Sequence, residues 1–201
     1  MSSSTDEIAG IILAGGKSLR YGQDKAFISL NGVFLIERVI SVMRQVFQDV
    51  ILIANEVGKY SGFGLPVYED VIKGIGPIGG ILTGMLWIQK IQKSAGFFVA
   101  CDMPFLNPEL IAYMVKIRDG FDVVIPRIGK NIEPLHAIYT KNCIPYIEES
   151  IHKKNYGIRT FFPKVSVRYV EKDEIMAYDP ELKFLININT PEDIRRFRLN
   201  V

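Results

Sequence analysis

Short apolar runs alternate with amphipathic, helix-spaced stretches along most of this chain, and that alternation constrains the fold more than any other feature. Residues 8–13 form an apolar run rich in β-branched side chains that ends in Ala14-Gly15-Gly16. The run reads as a buried strand feeding a glycine loop. Leu35, Val39, Val42 and Val46 then fall at helical spacing, which predicts an amphipathic helix. Residues 50–54 and 66–68 predict two more strands. A second glycine-rich loop, 74–80, precedes a helix expected over about 81–91. A strand at 97–100 stops at Cys101-Asp102. Asn107-Pro108-Glu109 supplies an N-cap, an N1 proline and an acidic first turn. Strands are expected at 123–126 and 136–139, a helix around Ile144, Ile147 and Ile151, and late strands at 165–170 and 184–188. Thr190-Pro191-Glu192-Asp193 opens the last helix, with Thr190 as its N-cap. Strand–helix alternation of this kind predicts an α/β fold: a mostly parallel central sheet with helices on both faces. Ligands of such sheets sit outside the carboxyl ends of the strands, so the residues just after strands are the ones to question.

A chain of 201 residues, 48% hydrophobic, can bury one sizeable core. One domain is expected over 1–201, with 1–7, Ser-rich and acidic, as a flexible N-terminal tail. Lys plus Arg number 24 and Asp plus Glu 22, a net charge of +2. No global basic field points to nucleic acid. No apolar run is long enough for a signal peptide core or a membrane span, so a cytoplasmic setting is expected. Cys101 and Cys143 are far apart and not metal-spaced, so zinc has no support.

Four constellations could carry chemistry. The first is the loop from Leu13, Ala14, Gly15 and Gly16 through Lys17 and Arg20 to Lys25. Glycines after a buried strand let backbone N–H groups approach an anion, and three cations follow within one loop. This loop matches neither GxxxxGK[ST] nor GxGxxG, and by spacing alone it also reads as a glycine-rich surface turn. The second is Asp102, a hard oxygen ligand at the end of an apolar strand, suited to Mg²⁺ with waters and substrate phosphates; it also reads as a loop aspartate bonding a local N–H. The third is the pair Asn187 and Asn189, which project to one side of an extended segment or serve turn chemistry before the capped helix. The fourth is Asn55 with Asp70, each just after a strand. A carboxylate there can accept from the N1–H and N2–H₂ donors of guanine, a pair adenine lacks; two loop polar residues are the plainer reading. His136 beside an apolar strand receives no catalytic role. No Ser/His/Asp or Cys/His arrangement stands out, so covalent nucleophilic catalysis has little support.

These constellations occur together and in order. LAGGKSLRYGQDKAF, YEDVIKGIGPIGGIL, VACDMPFLNPELI, EPLHAIY and NINTPEDI resemble the molybdenum cofactor guanylyltransferases of the MobA type, over residues 8 to about 196. The resemblance implies a Rossmann-like three-layer sandwich that binds GTP and Mg²⁺. It implies transfer of GMP to molybdenum-bearing molybdopterin with release of pyrophosphate, in making the guanine dinucleotide form of that cofactor. Carried over by position, Leu13, Ala14, Gly15 and Gly16 are the nucleotide loop and Lys25 the phosphate-binding lysine. Asn55 and Asp70 match guanosine contacts, and Asp102 the metal- and nucleotide-binding aspartate. Arg20 joins Lys25 and Asp102 in the catalytic set, Gly79 joins the nucleotide contacts, and Asn187 and Asn189 face the acceptor. Partners implied are the two small-molecule substrates and transient contacts with other cofactor-biosynthesis or acceptor proteins. The GPLAG-like segment is Gly76-Pro77-Ile78-Gly79-Gly80 here, a mild departure. A cytidylyl- or other nucleotidyltransferase with a different phosphorylated acceptor is the nearest rival. LAGG rather than LAAG leans toward GTP. A non-catalytic nucleotide-binding regulator and a plain interaction protein are the rivals of other classes.

Overall fold

The computed structural model describes residues 7–15 and 24–198. The chain begins with β1 (Ile8–Leu13) and, after a short 3₁₀ turn at Lys25–Phe27, makes a small hairpin of β2 (Ser29–Leu30) and β3 (Val33–Phe34). There follow α1 (Leu35–Val46), β4 (Val50–Ile53), β5 (Val67–Tyr68), α2 (Pro77–Lys90), β6 (Ala95–Ala100) and α3 (Pro108–Lys116). The later part comprises β7 (Val123–Ile128), β8 (Asn131–Ile132), β9 (His136–Thr140), α4 (Ile144–His152), β10 (Val167–Glu171), α5 (Lys172–Met176) and α6 (Pro191–Arg198). The sheet runs β10-β7-β9-β6-β1-β4-β5, with β8 paired to β7. Pairs β5–β4, β4–β1, β1–β6 and β7–β10 are parallel, whereas β9 is antiparallel to both β6 and β7. Among the described residues no helix is long and apolar enough to cross a membrane.

Burial on both faces explains why the strands read as unbroken apolar runs rather than alternating ones. Along β1, Ile8 and Ile12 point into one core layer with Ile36, Val39 and Met43 of α1 and Leu110, Ile111 and Met114 of α3. Ala9 and Ile11 point into the opposite layer with Ile78, Ile81 and Met85 of α2 and Ile147 of α4. Each fully buried isoleucine here contributes about 1.5–3 kcal/mol of transfer free energy. The expected three-layer arrangement is therefore present.

Where α2 crosses the sheet, the approach is close. A Cβ built on Gly84 would stand 2.6 Å from Cε1 of Phe98 and 3.0 Å from Cγ2 of Ile11. Gly84→Ala is accordingly expected to lower stability by about 1–3 kcal/mol through overpacking, although alanine is the better helix former by about 1 kcal/mol. Urea unfolding measures this, and an unchanged or raised midpoint would refute the tight crossing.

Local signals placed most element ends. Asn107 Oδ1 accepts from the N–H groups of Glu109 (2.8 Å) and Leu110 (3.0 Å), capping α3, a contact of about 1 kcal/mol. Thr190 Oγ1 accepts from Asp193 N–H while Asp193 Oδ2 accepts from Thr190 N–H, a reciprocal cap for α6. Two expectations are corrected. The helix expected from about residue 81 starts at Pro77, inside the glycine loop. Gly76, at φ 76°, adopts a left-handed cap that side-chain-bearing residues avoid, and Pro77 presets the first helical φ. The strand expected at 184–188 does not form. Leu182 turns the chain at φ 53° into a 3₁₀ turn, Lys183–Leu185. Phe184 then packs into the main core while Ile188 drops into a separate small cluster with Ile28, Leu30 and Leu35. Its tie to the sheet end is one bond, Ile188 N–H to Asp102 O at 2.9 Å.

Candidate active site

The chain leaves β1 on one side to build β4 and β5, then returns to build β6 on the other side. A reversal of strand order opens a crevice at the carboxyl ends of the two strands. A cleft of about 300 Å³ lies there, lined by the ends of β1, β4 and β6, the start of α2, the segment before β9 and the segment before α6.

At its floor, the end of β1 is latched on both sides. Ala14 N–H donates to Ile53 O at 2.8 Å, and Leu13 O accepts from Cys101 N–H at 3.0 Å. Gly15 follows, exposed, with φ 150°. A side chain there would point at Asn55, whose Nδ2 is 3.6 Å from the position of a Cβ. The backbone at Gly15 thus lines the cleft without a side chain in the way.

Lys25 is aimed by its neighbour. Asp24 caps the Lys25–Phe27 turn by accepting from Ala26 N–H at 3.1 Å. Asp24 also accepts from the Tyr60 hydroxyl and pairs with Lys59 at 3.0 Å. Burial alone would raise the Asp24 pKa, but these donors outweigh it and hold the carboxyl below its usual value. From that anchored turn Lys25 Nζ reaches Asp102 Oδ2 at 3.3 Å and the side-chain oxygen of Asn189. Three segments far apart in sequence meet on one ammonium group. Asn189 is held in turn by its N–H donating to Asp193 at 2.9 Å. Asn187 lines the same cleft, and its Oδ1 is buried with no hydrogen-bond partner among the described residues.

At the other end, Asp70 follows β5 and faces Gly80 across 3.5 Å from the position of a Cβ. Its Oδ1 is buried and has no hydrogen-bond partner among the described residues. Burial raises its pKa, with the side chain of Asn55 opposing. Asn55 stands beside Gly15 and Asp70 rather than in the cleft wall. Gly79 does not line the cleft either; a Cβ on it would sit 2.7 Å from Ile72 O, so it permits the 71–76 loop to pack on α2. Gly80 takes the lining position. Gly16 and Arg20 lie outside the described residues, as do Lys17 and most of the expected tail.

Sequence reasoning passed over two residues of the site. In the sequence Asp24 is only one more polar residue of the loop, because its anchoring partners, Lys59 and Tyr60, come from another segment. Glu133 lines the cleft with Asp102. Burial raises its pKa above the ordinary carboxylate value, against the bond from Leu135 N–H, with the charge of Asp102 as the smallest contribution. An acidic residue before Pro134 at the mouth of an apolar strand was the available signal. It becomes legible once β9 is known to run antiparallel, which brings its first end to the same sheet edge as the ends of the parallel strands. His136 is fully buried between Phe97 and Phe184, with ring centroids 5.0 Å and 4.7 Å away and neither nitrogen hydrogen-bonded among the described residues. It has no place in the cleft.

Among the described residues no group of three or more His, Cys, Asp or Glu side chains is placed to hold a metal. A divalent ion at Asp102 would complete its shell with amide oxygens, phosphates and water, the usual habit of Mg²⁺. The buried, donorless Oδ1 of Asn187 fits that donor set.

Residues 10–169 match the family described as the MobA-like NTP transferase domain. The chain belongs to that family. Its relatives include a protein of Pelotomaculum thermopropionicum named a probable molybdenum cofactor guanylyltransferase, 39% identical over 96% of this chain and 93% of that protein. Another, from Desulfosudis oleivorans, is named a molybdenum cofactor guanylyltransferase and is 35% identical over 95% of this chain and 94% of its own length. Among solved structures, molybdopterin-guanine dinucleotide biosynthesis protein A from Archaeoglobus fulgidus superposes with a TM-score of 0.81 at 26% identity, covering 96% of this chain and 97% of that one. The MobA-like family accounts for the α/β sandwich and for a cleft at the β1–β6 switch point.

Proposed function

We propose that this chain transfers GMP from GTP to molybdenum-bearing molybdopterin and releases pyrophosphate. The observation that carries the reading is Lys25 held between Asp102 and Asn189 at the switch-point crevice of a MobA-like NTP transferase. The chemistry asks little of proton transfer. The acceptor's terminal phosphate is already ionised near neutral pH. Its oxygen attacks the α-phosphorus of GTP, a new P–O bond forms, and the bond to the bridging oxygen breaks as pyrophosphate leaves with the electron pair. The barrier is charge repulsion and alignment. Lys25, the amides around Gly15 and the first turn of α2, which opens onto the cleft at Gly76 and Pro77, offset the negative charge. Asp70 presents acceptor oxygens to the paired donors of guanine. When bound at Asp102, Mg²⁺ supplies further positive charge against the triphosphate. A cytoplasmic setting suits two free, buried cysteines.

The test combines the protein with GTP, Mg²⁺ and molybdate-loaded molybdopterin. One GMP joined to the acceptor per pyrophosphate released is the expected result. Turnover with CTP in place of GTP would move the base, and no transfer with any nucleotide would end the reading. Lys25→Ala is expected to lower kcat by about 10²-fold, the scale of removing one charge-stabilising donor. A loss below about threefold would deny Lys25 that role.

A further inference from the structure

The turn that carries Lys25 is held at both ends by one segment, a 3₁₀ stretch at Val57–Phe63 between β4 and β5. At one end of the turn the ring of Phe27 packs on Tyr60 and Phe63, with centroids 5.4 Å and 5.7 Å away. At the other end the Tyr60 hydroxyl donates to Asp24 Oδ2, which Lys59 Nζ also reaches at 3.0 Å. Asp24 Oδ1 accepts from Ala26 N–H at 3.1 Å. Tyr60 is 2% exposed and belongs to the main core. Its ring already ties the turn to the core through Phe27, so the polar tie to Asp24 needs a reason of its own.

That reason lies in the next residue. Asp24 and Lys25 are neighbours in the chain and both line the cleft. Yet Lys25 Nζ pairs with Asp102, whereas Asp24 pairs with Lys59. Burial first, and the hydrogen bond to Asp24 next, raise the Tyr60 pKa well above its ordinary value, so the hydroxyl stays a donor at any working pH. Against burial, the donors on Asp24 hold its carboxyl ionised below the usual range. A half-buried carboxylate deprived of a donor carries the full cost of its desolvation until it finds another partner, and the adjacent ammonium of Lys25 is one. An ammonium neutralised in that way has less to offer a phosphate. We propose that Tyr60 is a positioning residue for Lys25: its hydroxyl keeps the Asp24 carboxylate engaged and so leaves the neighbouring ammonium to the phosphates of a bound nucleotide. The proposal rests on the reading of Lys25 as the phosphate-binding lysine of a GTP-using transferase and adds the residue that keeps it available.

The probe is the methylanthraniloyl derivative of GTP, titrated into the full chain with Mg²⁺ and no acceptor while its fluorescence is followed. Tyr60→Phe keeps the ring on Phe27 and removes the hydroxyl alone. It is expected to weaken Kd by about tenfold, the lower end of what one hydrogen bond to a charged group supplies. Two combinations separate this from a general loosening of the core. In a Lys25→Ala background Tyr60→Phe should change Kd by less than about twofold, because effects that pass through a shared residue do not add. Combining Tyr60→Phe with Asp24→Asn keeps an acceptor for Ala26 N–H, removes the competing charge and should recover about threefold or more of the lost affinity. Circular dichroism checks folding. Lys59→Gln, at an exposed residue, withdraws the other side-chain donor and runs through the same cycle with a smaller expected loss. A Tyr60→Phe Kd within about twofold of the parent's, an equal loss with and without Lys25, or no recovery with Asp24→Asn would each overturn the proposal. Absence of saturable binding by the parent would overturn it together with the proposed function. Binding without GMP transfer would end the proposed function alone, and the ratios of Kd would still decide the role of Tyr60.

Discussion

Asp102→Ala is expected to lower Mg²⁺-dependent turnover by about 10³-fold or more, roughly 4 kcal/mol of transition-state stabilisation, with the fold intact. The side chain has two tasks in the cleft. It is the carboxylate 3.3 Å from Lys25 Nζ, and in the proposed function it is the hard oxygen offered to a divalent ion. Its removal frees the ammonium from one of its two anchors among the described residues and, in the proposed function, takes away a protein ligand of the ion. Stability should change little, because an ion pair with side chains 29% and 18% exposed is worth at most about 1 kcal/mol. The bond that ties the 186–189 segment to the end of β6 uses Asp102 O, a backbone atom, and survives the substitution. Steady-state turnover across a Mg²⁺ titration, with circular dichroism as the control for folding, measures the effect. More than a tenth of parental turnover, at the parental Mg²⁺ dependence, would remove Asp102 from the reaction.

The second large effect concerns stability and pH. His136 is fully buried, and burial alone pushes its pKa down to about 3 from an ordinary 6.5. The unfolded chain takes up a proton as pH falls through 6.5, whereas the native imidazole refuses one until about 3. The unfolded state therefore binds the extra proton throughout that window, and native stability falls with pH by about 1.4 kcal/mol per unit. Above 6.5 both states hold the ring neutral and no penalty remains. From pH 6.5 to 4.5 the expected loss from this one residue is about 2 kcal/mol, and it reaches about 4 kcal/mol by pH 3. His136→Leu removes the titrating group and should flatten that share of the slope, whatever it does to stability at pH 7.5. Urea unfolding of parent and variant between pH 4.5 and 7.5 isolates the difference. It cancels other groups, among them Asp70 and Glu133, whose raised pKa values act with the opposite sign. Parallel stability curves for the two proteins would refute a neutral, unpartnered histidine.

Much of this molecule is written locally. The runs at 8–13, 50–54 and 97–100 announced buried strands because both faces of a parallel strand are covered, so every side chain is apolar. Asn107 and Thr190 announced helix starts because a cap is a contact between residues two or three apart. The glycines after β1 and the aspartate after β6 announced a crevice because strand ends in an α/β sheet converge on one edge. What periodicity cannot report is the direction of pairing or the identity of a distant partner. The run at 136–140 is equally apolar whether it enters parallel or antiparallel, and its reversed entry is what brings Glu133 to the cleft that Asp102 also lines. The 184–188 stretch looks like another strand, yet Phe184 and Ile188 are claimed by two different clusters, and the chain bends to satisfy both. Lys25 and Asn189 are 164 residues apart and share one hydrogen bond. The sequence by itself determined the layers, the caps and the edge at which chemistry occurs, since each depends on neighbours along the chain. The tertiary structure decided which charges face one another across that edge, because Coulomb interactions and burial depend on distance in space and not on separation along the chain.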